Sequence, residues 1–170
     1  VDALAPVIDR FRPRGAGDER REVNMLLPHL GFAYQQLGEH EKAIAVFEEA
    51  RRLAPDDPSL AGYLAEANIA AKKYATAAEI ARAAYGAHPA DLRLARVHAQ
   101  ALRHNGKIDE ALAVLQKALA AHGDDPMAHV AVARMYSDTN RGGDAVKVLQ
   151  DAQAKFPTDT AVAYELGAVL

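Results

Sequence analysis

Four aspartates, Asp57, Asp91, Asp125 and Asp159, stand 34 residues apart, and that period constrains the chain more than any other feature. Each precedes an apolar stretch with helical spacing, so each reads as an N-cap whose carboxylate accepts bonds from free first-turn amides. Two residues earlier stand Pro55, Pro89, Gly123 and Pro157, residues that stop the preceding helix. Small residues keep the same interval: Ala43, Ala77, Ala111 and Ala145, then Ala50, Ala84, Ala118 and Ala152. A third small series is Gly31, Ala65, Ala99, Ala133 and Gly167. Several series on one period mean that one supersecondary unit is copied along the chain. Copies of that kind bury their apolar faces against their neighbours.

Inside each copy the apolar spacing is helical and comes in two stretches. The first copy shows Leu27, Leu30 and Tyr34, a break at Gly38, then Ala43, Ile44, Phe47 and Ala50. These steps of three, four and seven place the residues on one face of a helix, on either side of a short turn. Gly106 and the stretch from Asn140 to Gly143 mark comparable breaks. Thirty-eight of the 170 residues are alanine, the best helix former and one that lets helices approach closely. No segment alternates with period two, so no strand is expected. Each copy is therefore a helix hairpin, with about 20 Å per helix at a rise of 1.5 Å per residue.

Leu27, Leu30, Gly31, Tyr34, Gly38, Ala43, Phe47, Ala50 and Pro55 together resemble the tetratricopeptide repeat signature. The resemblance implies an all-α fold, a right-handed α-solenoid of stacked antiparallel helix hairpins forming a superhelix. Counted from Asn24, the repeats are 24–57, 58–91, 92–125 and 126–159, and residues 160–170 form the first helix of a partial fifth. Asn68 and His98 replace apolar or aromatic signature residues, and Ala81 a larger apolar one. Residues 1–23 fall outside the pattern. Residues 1–11 read as a short amphipathic helix with Leu4, Ile8 and Phe11, and Arg12 to Gly17 as a loop. Asp18 to Val23 can extend the first repeat helix backwards, in which case Pro28 should kink it, whereas a helix begun near Asn24 would tolerate the proline. The chain opens at Val1 with neither an initiator methionine nor a signal pattern, so it reads as a piece of a longer protein.

Signals for chemistry are weak. The absence of cysteine excludes disulfides, thiolate metal sites and a cysteine nucleophile. Gly15, Ala16 and Gly17 begin like a dinucleotide loop but lack the third glycine and a preceding strand. The histidines form no metal-binding pair at helical spacing, and neither a nucleophile elbow nor a phosphate-binding loop is present. Carboxylates such as Glu41, Glu48, Glu79, Asp109 and Asp151 fall on outer helix faces, where solvation is their ordinary role. A net charge of −3 argues against a chain-wide polybasic surface for nucleic acid. No apolar run approaches the roughly 20 residues of a membrane span. We expect no enzyme, no cofactor and no metal. The compartment stays open between cytoplasm and periplasm, and the alanine-rich, lysine-poor style suggests a bacterial source.

The resemblance places ligand contacts at positions 2, 5, 9 and 12 of each first helix, which share one helical stripe. Read onto this chain, the stripe holds Met25, Pro28, Phe32 and Gln35 in the first repeat. The second has Ser59, Gly62, Glu66 and Ile69, with Tyr63 beside them, and the third Arg93, Arg96, Gln100 and Arg103. The fourth has Met127, Val130, Arg134 and Ser137, and Tyr164 and Ala168 continue it. The peptide-binding residues expected are thus Met25, Phe32, Gln35, Tyr63, Glu66, Arg93, Arg96, Gln100, Arg103 and Arg134. Arginine forks suit carboxylates, so an acidic or C-terminal peptide is the expected ligand. The family's carboxylate clamp for chaperone tails needs lysine and asparagine where this chain has Pro28 and Phe32, so that ligand is not expected. The reading is a protein-interaction scaffold that binds a partner's peptide or helix in a concave groove. The alternative is a regulatory or substrate-recruiting solenoid of a larger enzyme, such as a glycosyltransferase. Self-association through Ala163, Leu166 and Leu170 of the partial fifth repeat is a further expectation.

Overall fold

The computed structural model describes residues 18–170, with side-chain surroundings from residue 26 onward. The short helix and loop expected before Asp18, and the side chain of Met25, lie outside the described residues. Among these residues the chain is helical throughout, without strands: α1 (Asp18–Gln36), α2 (His40–Leu53), α3 (Pro58–Ala70), α4 (Tyr74–Ala87), α5 (Leu92–His104), α6 (Ile108–Ala121), α7 (Pro126–Asp138), α8 (Gly142–Lys155) and α9 (Thr160–Val169). The first helix does start at Asp18 and runs on through Pro28.

The 34-residue period is a period of helix ends. Each of the four aspartates caps a first helix. Asp57 accepts from the Ser59 amide at 2.8 Å and Asp91 from Leu94 at 3.0 Å. Asp125 accepts from Met127 at 2.8 Å and Asp159 from Val162 at 2.9 Å. The far ends of α1, α3, α5 and α7 close in one way. Gly38, Lys72, Gly106 and Asn140 take left-handed conformations, with φ between 60° and 79°. The amide of the following residue reaches back to the carbonyl five residues earlier: Glu39 to Tyr34, Lys73 to Asn68, Lys107 to Leu102 and Arg141 to Tyr136, at 2.8–2.9 Å. That is the Schellman closure, which satisfies carbonyls the helix leaves over. Second helices end two residues before Pro55, Pro89, Gly123 and Pro157. The residue before a proline is pushed out of the helical region, which sets the boundary in three of the four.

Two compact units divide the chain, Val1–Ala84 and Tyr85–Leu170, the division falling in the last turn of α4. In the first, α1 packs on α2 and α2 on α3. Leu27, Val46, Ala50 and Leu60 form one buried group, and Ala43, Ile44, Phe47, Leu64 and Ala67 another. In the second, each helix from α5 to α8 packs on the next, and α7 also meets α9. Leu94, Val130, Val132, Leu149 and Val162 are its largest fully enclosed side chains. Small residues mark the closest approaches: Ala43, Ala77, Ala111 and Ala145 are wholly enclosed at 0% exposure. A Cβ added to Gly31 would lie 2.5 Å from the Phe47 ring, so only glycine admits that ring.

Candidate functional site

The first-helix stripe has a different character in each unit. In the first it is aromatic. Phe32 from α1 and Tyr63 from α3 meet edge to face at 4.7 Å, and Phe32 meets the enclosed Phe47 at 5.4 Å. Both rings are half-buried, so they belong in part to the core that joins α1, α2 and α3. Gln35 and Glu66 are also half-buried. The expected apolar end of a groove is thus largely packed against its own hairpins, because three aromatic rings bury more area against each other than against water.

In the second unit the stripe is cationic. Arg93, Arg96, Gln100 and Arg103 follow one another along α5 at steps of three and four, and Arg134 lies on α7. Arg96 and Gln100 are exposed, while Arg93 and Arg103 are half-buried. Two of the arginines already hold a carboxylate of the next first helix. Arg103 Nη2 lies 3.5 Å from Asp138 Oδ2 at the end of α7. Arg134 donates through Nε, at 2.9 Å, and through Nη2 to the same oxygen of Glu165 on α9. This doubled bond holds the Arg134 guanidinium above its usual pKa, despite an opposing desolvation cost. Arg103 Nη2 also contacts His104 Nε2 at 3.2 Å. Burial, and then the Arg103 charge, hold His104 below its ordinary pKa, with Asp138 opposing. At neutral pH the His104 ring is therefore unprotonated and can accept from Arg103.

Some stripe positions are corrected by packing. Val130 is 0% exposed and Gly62 is buried, so position 5 does not line an open surface in the second and fourth repeats. A short side chain there cannot reach past its neighbours to water, whereas the long arginine of Arg96 can. Asp138 and Glu165 were not singled out from the sequence. Their signal was a carboxylate 31 to 35 residues after a stripe arginine, close to one repeat away. Lys155 uses the same spacing on another surface, bonding Asp124 at 2.7 Å over 31 residues.

Among the described residues no cluster of histidine and carboxylate side chains is arranged to hold a metal ion. No described helix is long and apolar enough to cross a membrane.

Family comparisons agree with this architecture. Two tetratricopeptide repeat models match, one over residues 68–135 and 102–170 and the other over 30–91. Comparison with curated proteins by sequence gives no match. Among solved structures, MamA (residues 41 to the end) from Desulfovibrio magneticus RS-1 is similar at a TM-score of 0.64 and 18% identity, covering 94% of this chain and 97% of its own. PilF of Pseudomonas aeruginosa is similar at 0.66 and 18%, over 89% of this chain and 69% of its own. A thermophilic tetratricopeptide repeat protein of Thermus thermophilus, TTC0263, is similar at 0.51 and 19%, over 86% and 98%. At these identities the likeness shows the all-α helical-repeat fold alone. The repeated caps, the Schellman turns and the matched family models lead to one conclusion: the chain belongs to the tetratricopeptide repeat family.

Proposed function

We propose that the protein binds a peptide or helix of a partner protein along the first-helix face of its hairpins. Membership of the family supports a protein-interaction scaffold in general. The observation that carries the finer reading is the face of α5, where Arg96 and Gln100 stand exposed one turn apart. A long polar side chain with no bond of its own loses no protein contact when a partner's acceptor takes it. Some second-helix charges have a local partner instead, as in Arg52 with Glu49 at 2.6 Å and Arg141 with Asp144 at 2.7 Å.

Site-specific photocrosslinking in the host tests the face. A benzophenone side chain at Gln100 should capture one discrete partner, whereas the same group at the exposed Lys117 of α6 should not. Equal capture at the two positions, or capture at Lys117 alone, would reject the first-helix face.

A further inference from the structure

Helix α5 stands apart in charge. Its sequence, Leu92 to His104, carries three arginines and no acidic residue. Every other described helix contains at least one aspartate or glutamate. In a chain of net charge −3, this concentrates positive potential on one exposed helix face. Resting on the interaction reading above, we infer that this face takes an acidic, extended peptide on Arg96 and Arg103, and that Asp138 is a built-in competitor which the peptide displaces from Arg103.

Geometry singles out these two arginines. They lie seven residues apart on α5, about 10.5 Å along the axis at 1.5 Å per residue. Two acidic residues three apart in a peptide extended as polyproline II lie on one side of it, about 9 Å apart. Arg96 is exposed and engaged by no carboxylate among the described residues. Arg103 is engaged, but loosely: besides its contact with His104, it has one carboxylate at 3.5 Å, on an Asp138 side chain that is 51% exposed. Its Nε is shielded from water and has no hydrogen-bond partner among the described residues. The guanidinium is therefore only partly satisfied where it rests.

Asp138 is also the expendable member of its helix. It is the last residue of α7, at the negative end of the helix dipole, where a carboxylate is disfavoured. Arg103 lies in the last turn of α5, where the dipole supports a cation with or without Asp138. Separating the two thus leaves each helix intact. The Arg134–Glu165 pair differs: Glu165 is only 12% exposed and takes two bonds from one guanidinium. It acts as a structural tie between α7 and α9 and stays closed.

Fluorescence anisotropy on the whole 170-residue chain tests the inference. The probes are a labelled peptide of about 12 residues with two glutamates three apart in an alanine–glycine background, its lysine counterpart, and an oligothymidylate of about 12 nucleotides. The glutamate peptide should bind at low salt and weaken as salt is added. Asp138→Asn and Asp138→Ser should both tighten it about 2- to 5-fold, the size of an exposed ion pair. Arg96→Gln should weaken it about 3- to 10-fold, and Glu165→Gln should bring no tightening. If Arg96→Gln weakens binding while both Asp138 variants leave it unchanged, the competitor is overturned and the interaction reading stands. Tighter binding of the oligothymidylate than of the glutamate peptide, with the same Arg96 dependence, overturns a protein ligand. Failure of the glutamate peptide to bind overturns the acidic ligand, while crosslinking at Gln100, which is blind to ligand charge, judges the interaction reading separately.

Discussion

At the scale of single residues, the four left-handed positions show how a repeat tolerates unequal residues under one backbone demand. Gly38 and Gly106 meet the positive φ without steric cost, and Asn140 meets it with a short polar side chain. Lys72 does not: a β-carbon at φ 60° crowds the following carbonyl. The turn is held because both Schellman bonds form there, Lys72 to Ile69 at 2.9 Å and Lys73 to Asn68 at 2.8 Å. Lys72→Gly should raise stability by about 1 kcal/mol, and Asn140→Gly by less. Urea denaturation reads both; a loss on Lys72→Gly would show that its side chain contributes something the turn needs. The glycines of this series could be recognised in the sequence as breaks, whereas Lys72 could not, since nothing in a lysine announces a left-handed backbone.

Among elements, position 8 of the first helix gives a sharper contrast. Gly31 and Gly167 occupy the same place in the repeat. A Cβ at Gly31 meets Phe47, which is fully enclosed and cannot retreat. A Cβ at Gly167 meets nothing within 4 Å. Gly31→Ala should therefore cost about 1–3 kcal/mol, while Gly167→Ala should be neutral or gain up to about 1 kcal/mol from helix propensity. The same reasoning separates Ala111→Leu and Ala145→Leu, at enclosed crossings, from Ala83→Leu on an exposed face. The first two should cost about 1–3 kcal/mol and the last little. Equal melting losses at all of these positions would mean that the helices are not in contact where the packing has them.

For the whole molecule, the uneven surface matters more than its net charge. Helix α9 presents Tyr164 at 74% exposure, with Leu170 just beyond it at 84% and Ala163 and Gly167 open beside them. Leu166, by contrast, is only 8% exposed, so it holds α9 to its neighbours and is unsuited to probing an outer surface. Exposed apolar residues grouped in this way favour association, and we expect the 170-residue chain to self-associate through this face. Sedimentation over a roughly hundredfold concentration range should show a rising mass that Tyr164→Glu with Leu170→Glu abolishes. A constant monomer mass throughout would refute it.

Much of this protein was legible in its sequence because the signals are local. A capping aspartate acts on amides two or three residues away, a proline acts on the residue before it, and an alanine series at a constant interval needs no distant knowledge. Repetition then multiplies each weak signal by the number of copies, so the capped starts of the first helices, the hairpins and the family could be read. What only the tertiary structure decided lies between copies. Whether Arg103 and Arg134 are free or held depends on carboxylates about one repeat away, brought close by the stacking of first helices. Whether Phe32 and Tyr63 face a ligand or each other depends on where Phe47 enters from the second helix. Side-chain pairing across helices is a property of distance in space, and a periodic sequence repeats the opportunity for it without stating which opportunities are taken.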